Sequence, residues 1–194
     1  MNVDLLAVGA EDKSVIAQLL QLYLHDFSEF EPRELSAHGT FDYAWLDSYF
    51  TAPDREAHLI TVAGRPAGFA LARCDVDGDD GAWNVSEFFV VRGHRGRGVA
   101  AQAARLLFQR HPGLWTLSYL LTNPAASRFW PNLVGAQADG PVSRREQCRR
   151  RRSGYASRSV STSRTTRHPR APSTAELEEP ASADSHQFVA RFVH

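Results

Sequence analysis

Apolar positions along the first two thirds of the chain alternate between two rhythms, and each rhythm predicts an element. Val3 to Val8 reads as a short strand. From Glu11-Asp12-Lys13 the spacing becomes helical, with Val15, Ile16, Leu19, Leu20, Leu22 and Tyr23 on one face. Pro32 and Gly39 interrupt it, and the aromatic-rich stretch Phe41 to Phe50 predicts a second helix. His58 to Val62 and Ala67 to Cys74 are strand runs joined by Ala63-Gly64-Arg65-Pro66, a hairpin signal. Trp83 to Val91 predicts a third long strand, leading through a glycine turn into a helix that His111-Pro112-Gly113 ends near Arg110. Trp115 to Leu121 is a further β run. Behind it Pro124 sits where a first helical turn tolerates proline, and Ala126, Phe129 and Trp130 share a helical face. This order predicts an α/β chain of the α+β kind. One mixed sheet carries helices on both faces, without the strict alternation of a doubly wound fold.

From about Gln137 to Ser185 the periodicity disappears. Arg144, Arg145, the run Arg149 to Arg152, and Arg158, Arg164, Arg167 and Arg170 alternate with Ser, Thr and Pro. Such a stretch buries too little apolar surface to offset chain entropy, which predicts disorder. The expected division is a folded domain over 1–135 and an Arg/Ser/Pro-rich, disordered tail over 136–194, with a strand fragment at Phe188 to Val193. Lys13 is the only lysine and alanine is abundant, which suggests a G+C-rich coding sequence. An Arg/Ser/Pro/Ala mixture is what such a gene yields out of frame, so the tail reads as frame-shifted or otherwise unselected.

Formal charge is balanced, with 22 basic and 22 acidic residues, so composition points to no polyanionic partner. The two cysteines, Cys74 and Cys148, form no ligand cluster, and a reducing compartment is the default. Met1-Asn2-Val3-Asp4 lacks the basic and apolar regions of a signal peptide, and no apolar run reaches membrane-spanning length. The expectation is a cytoplasmic protein, monomer or homodimer. Asp75 to Gly81 is rich in aspartate, but a calcium loop wants Gly and Glu where Asp80 and Ser86 stand. A polar hairpin loop fits better. The histidines have no ligand spacing, and no metal is expected.

The chemistry concentrates at Arg92-Gly93-His94-Arg95-Gly96-Arg97-Gly98-Val99-Ala100. A strand entering a helix through glycine aims several amides at one point, where the helix dipole adds positive potential. Arg95 and Arg97 add formal charge suited to phosphate. A Walker loop is excluded, since no Lys-Ser/Thr follows the glycines. The dinucleotide fingerprint is met by Gly96, Gly98 and Ala101, but the strand that should supply its acidic partner ends Leu121-Thr122-Asn123. An Arg/Gln-x-x-Gly-x-Gly/Ala pattern is met by Arg95, Gly98 and Ala100, and a plain helix start using glycine for its turn is the bland alternative.

With Asn123-Pro124-Ala125-Ala126-Ser127-Arg128-Phe129-Trp130 downstream, the chain from about Leu5 to Gly135 resembles the GNAT superfamily, bacterial-type small N-acetyltransferases that use acetyl-coenzyme A. The resemblance implies a diphosphate over Arg95, Gly96, Arg97, Gly98, Val99 and Ala100. It implies a pantetheine arm pairing with the main chain at Phe89, Val90 and Val91, with Trp130 packed along it. Asn123 either touches the cofactor or caps its helix. Glu87 is the candidate base, through water, although its register is offset by an odd number from the place where relatives carry a catalytic glutamate. Where relatives have a tyrosine acid this chain has Trp130, whose indole cannot give a proton to a thiolate. Asp26, Glu29 and Glu31 would either greet the amine of a small-molecule or peptide acceptor, or form a solvated acidic surface. Superfamily domains finish with two more strands, which are expected to be missing or replaced here. Two alternatives stand beside acetyl transfer: a catalytically weak acyl-coenzyme A sensor or partner module, and nucleic-acid binding through the Arg tail. Sparse aromatics disfavour the latter.

Overall fold

The computed structural model describes residues 2–74, 81–138, 142–147 and 185–192. Seven strands form one sheet in the order β1-β2-β3-β4-β5-β7-β6. They are β1 (Val3–Ala7), β2 (Arg55–Val62), β3 (Arg65–Cys74), β4 (Trp83–Val90), β5 (Gly113–Leu120), β6 (Ser143–Gln147) and β7 (Ser185–Phe192). All neighbours are antiparallel except β4 and β5. The β2–β3 turn is tighter than the sequence suggests: Ala63 and Gly64, with φ of 50° and 73°, make it alone.

Helices α1 (Lys13–Phe27) and α2 (Ser48–Thr51) cover one face. Ile16, Leu19, Leu20, Leu24 and Tyr49 pack there on Leu59, Phe69, Leu71 and Phe89. Helices α3 (Val99–Arg110) and α4 (Pro124–Gln137) cover the other, where Val99, Ala103, Leu107, Trp130 and Val134 meet Ile60, Ala70, Val85 and Val90. Among the described residues no helix is long and apolar enough to cross a membrane.

Two expectations are corrected. Phe41 to Phe50 is not a helix, since only Ser48–Thr51 coils at its end. Its aromatics are anchored singly against the α1 face, and Gln21 holds Phe41 through both main-chain groups, at 2.8 and 3.0 Å. Of the C-terminal strands expected to be missing or replaced, the fragment at 188–193 is met by β7, which pairs antiparallel with β5 over its whole length, and β6, not expected, lies outside it. Hydrophobic patterning cannot see Ser143-Arg144-Arg145-Glu146-Gln147, which joins the sheet edge through main-chain hydrogen bonds. The rest of the predicted tail, 139–141, 148–184 and 193–194, and residues 75–80 of the aspartate loop lie outside the described residues.

Candidate active site

The site begins where two parallel strands part. β4 and β5 pair only at Trp83–Trp115, Asn84–Thr116 and Val85–Leu117, although β4 continues to Val90 and β5 to Leu120. The register of β4 on β3 slips at the same place: Leu71 faces Glu87 and Ala72 faces Val85, leaving Ser86 as an extra residue. A bulge bends its strand and tightens the twist, which carries β4 away from β5. The bulge also resets which way side chains point. Val85 packs in the α3-side core, whereas Glu87, two residues on, accepts a hydrogen bond from Tyr43 (3.2 Å) on the α1 side. Counting alternation along β4 as a regular strand therefore misplaces everything beyond Ser86.

Main-chain groups in the gap follow from the ladder. Val91 N–H donates to Ala67 O at 2.8 Å, so Phe89 and Val91 direct their main chain at β3. The Phe89 carbonyl oxygen lies so close to Gly68 that a Cβ there would collide with it, and Phe89 C and Val90 Cα would be 3.0 Å away. Phe88 and Val90 are left to face the gap. Of the three positions expected to meet the pantetheine arm, Phe89 and Val91 direct their main chain at β3, while Val90, with Phe88, faces the gap.

The end of the gap is closed by the glycine turn. Gly96 and Gly98 have φ of 70° and 80°, a conformation that costs side-chain-bearing residues strain. Gly98 is the N-cap of α3, and the helical ladder opens with Gln102 N–H donating to Gly98 O at 3.0 Å. Ahead of it the amides of Gly96, Arg97, Gly98, Val99 and Ala100 have no backbone acceptor among the described residues. A Cβ on either positive-φ glycine would meet no protein atom within 4 Å. The space beside these amides is open, as a diphosphate requires. Val99 itself is buried and anchors the helix start.

The two arginines part company. Arg97 is exposed and makes no ion pair among the described residues. Arg95 turns inward: its Nε donates to Val90 O (2.7 Å), an Nη donates to Asp26 (2.5 Å), and the guanidinium lies over the Phe89 ring. Arg92 binds the other Asp26 oxygen at 2.7 and 3.0 Å. Partial burial pushes the Asp26 carboxyl up, but hydrogen bonds and charge from both arginines outweigh it and hold the group below its ordinary value. Asp26 is thus an ionised anchor for the turn, and Arg95 is a brace within the fold.

A cavity of about 330 Å³ runs through the gap. Tyr23, Phe27, Glu29 and Phe30 wall it on the α1 side, and Asn123, Ala126, Phe129 and Trp130 on the α4 side. Phe88 packs between the last two rings, at 6.2 and 5.3 Å. Asn123 Oδ1 accepts from Ala126 N–H at 3.0 Å, so it caps α4 while lining the cavity. Glu31 and Glu87 are not part of the wall. Sequence reasoning missed Phe88, Gly68, Tyr23, Tyr43 and Arg92. Only Gly68 carried a signal, as a glycine inside an apolar strand where another backbone approaches.

The comparisons agree with this geometry. The family model described as "Acetyltransferase (GNAT) family" matches residues 16–135. An acetyltransferase from Thermus thermophilus superposes with a TM-score of 0.60 at 14% identity, covering 99% of this chain and 98% of that one. The ribosomal-protein-S18-alanine N-acetyltransferase of Escherichia coli gives 0.56 at 12%, covering 100% and 96%. A GNAT-family acetyltransferase from Staphylococcus aureus gives 0.55 at 10%, covering 96% and 98%. At these identities the structures speak for the fold alone, and no curated protein matches the sequence. The match over 16–135 makes the chain a member of the GNAT acetyltransferase family and an acetyl-coenzyme A-dependent N-acetyltransferase.

Proposed function

We propose that the chain moves an acetyl group from acetyl-coenzyme A to an amine by direct attack within the β4–β5 gap. The parting of β4 from β5 at Val85, with open amides at its end, carries this reading. The amides of residues 96–100 and the Arg97 guanidinium would hold the diphosphate. The pantetheine arm would add to the free edge of β4 at Phe88 and Val90, against Trp130 and the Asn123-capped end of α4. The Val90 N–H would polarise the thioester carbonyl and stabilise the oxyanion formed on attack. Glu87 would receive the amine proton. The acceptor is an amine on a small molecule or a peptide.

A second reading is favoured by Trp130, which stands in the cavity wall without a proton to give. In it the domain binds the thioester but turns it over weakly. Titration calorimetry with acetyl-coenzyme A, followed by thiol release against phenethylamine, spermidine, lysine and an alanyl tripeptide, separates the two. Binding with release supports acetyl transfer, and binding without release supports the sensor. Gly98→Glu should weaken binding about a hundredfold, near 2.7 kcal/mol, by setting a carboxylate beside the diphosphate. Unchanged affinity in that variant would remove the diphosphate from this turn.

A further inference from the structure

Two rows of aromatic rings wall the cavity. On the α4 side Phe88 packs between Phe129 and Trp130, where the proposed pantetheine arm would lie. On the α1 side Tyr23, Phe27 and Phe30 form a second row, with successive ring centroids 5.3 and 6.3 Å apart. Their spacing of four and then three residues brings them to one side of the end of α1. Tyr23 packs against the α1-side core, but among the described residues Phe27 and Phe30 belong to neither apolar core. Both are half-buried. The Phe27 ring is held by the Arg33 guanidinium at 5.7 Å, itself paired with Glu31 at 3.2 Å. Core packing therefore does not account for these two rings, and apolar surface kept at an opening is what an apolar ligand covers. The charges of the wall are sorted as sharply. Asp26 gives both oxygens to Arg92 and Arg95. Glu29, the wall's other carboxylate, is exposed, and among the described residues its side chain makes no hydrogen bond or ion pair.

Deepening the acetyl-transfer reading, and resting on it, we propose that the acceptor is a small primary monoamine with a flat apolar body, seated on Phe27 and Phe30 with its ammonium drawn in by Glu29. With the arm on the α4 side, the α1 side is what remains for an amine approaching the thioester. One unpaired negative charge beside apolar rings suits one ammonium on an aromatic-sized body. A chain of ammonium groups, or a sugar rich in hydroxyls, would set polar atoms against Phe27 and Phe30 with nothing to bond them. In the step itself the ammonium gives one proton to water and its nitrogen bonds to the thioester carbon. The C–S bond breaks, and a second proton from nitrogen ends on the thiolate. Amide, thiol and one released proton balance the reaction, and no electrons are transferred.

The test uses the full chain, acetyl-coenzyme A and a set of amines. By thiol release, kcat/KM for phenethylamine should exceed that for ethylamine, lysine and spermidine about tenfold or more, as a hydrophobic pocket discriminates. Phe30→Ala should cut the phenethylamine-to-ethylamine ratio about tenfold and leave the calorimetric affinity for coenzyme A within about twofold. Glu29→Gln should raise KM for both amines about threefold, the size of an exposed ion pair, without moving that ratio. Preference for spermidine, lysine or an alanyl tripeptide, or a ratio unmoved in both Phe27→Ala and Phe30→Ala, would overturn the proposal. An unmoved KM in Glu29→Gln would strike out the ammonium contact. Calorimetry of phenethylamine into coenzyme A-loaded protein reads the seat without turnover. Heat that disappears in Phe30→Ala supports it, and no heat from the wild type overturns it. Phenethylamine binding with no thiol release from any amine would keep the seat and sink acetyl transfer itself, whereas release with spermidine alone would do the reverse.

Discussion

The two ends of the β4–β5 pair are built from similar residues and behave in opposite ways. At the paired end Trp83 stacks on His111 at 3.7 Å, and Trp115 Nε1 donates to His111 O at 2.8 Å. Asn84 Nδ2 donates to Thr116 Oγ1 at 2.8 Å across the strands, and Ser86 donates to the Asn84 oxygen at 3.1 Å. Glu56 on β2 reaches His111 Nε2 at 3.0 Å. It also lies 3.2 Å from the buried His58 Nε2, close enough to pair though the angle is poor for a hydrogen bond. At the other end, among the described residues, β5 offers no partner to Phe88 or Val90. The aromatic packing there is with helix α4, and an arginine side chain covers the Val90 carbonyl. A gap between strands holds its width only if the strands are fixed somewhere, and the cross-linked end supplies that fixture. Cross-strand contacts are concentrated at the paired end, and main-chain hydrogen bonds are left unmade in the gap.

The sharpest way to break this division is Gly68→Ala. A single Cβ there meets the backbone of Phe89 and Val90, which cannot rotate away. The expected cost is about 2–3 kcal/mol of stability with roughly tenfold or weaker acetyl-coenzyme A binding, read by denaturant unfolding and calorimetry. Asn84→Leu strikes the paired end. It removes a buried donor from Thr116 and should cost about 1–3 kcal/mol while leaving cofactor affinity nearly unchanged. If affinity falls in step with stability, the two ends are not separable. Glu56→Gln should have the smallest effect. Contact with His58 lowers the Glu56 carboxyl, partial burial opposes it, and the hydrogen bond and charge of His111 add to it, bringing the group to about 2. Because the folded value lies below the ordinary 4.5, its contribution is present above that pH and is lost as pH falls toward about 2. Allowing for solvent screening it amounts to about 1–2 kcal/mol, so the variant should show that loss at neutral pH and a flatter acid limb in thermal unfolding.

Much of the frame was legible in the chain because its core strands are apolar runs between turn residues, and because α1 and α3 repeat at helical spacing. The glycine turn was legible for a different reason: positive φ and open amides demand glycine, which leaves a mark in sequence. What could not be read was set by tertiary contact. Asp26 and Arg95 lie far apart in the chain, so nothing local shows that one neutralises the other. Ser86 looks like any strand serine, and only its slip against Leu71 and Ala72 reverses the facing of Glu87. β6 has no apolar residue and owes its place to hydrogen bonds with β7.

Phe192, at the end of β7, stacks on Phe108 of α3 at 4.0 Å with planes 13° apart. The stretch recognisable as the family thus stops short of the residues that finish its own interior. A polypeptide trimmed to 16–135 would lose β1, β6 and β7, bare one flank of Phe108, and offer the whole edge of β5 to any passing strand. For this chain, the boundaries of the family's signature and of a well-behaved soluble fragment are different boundaries.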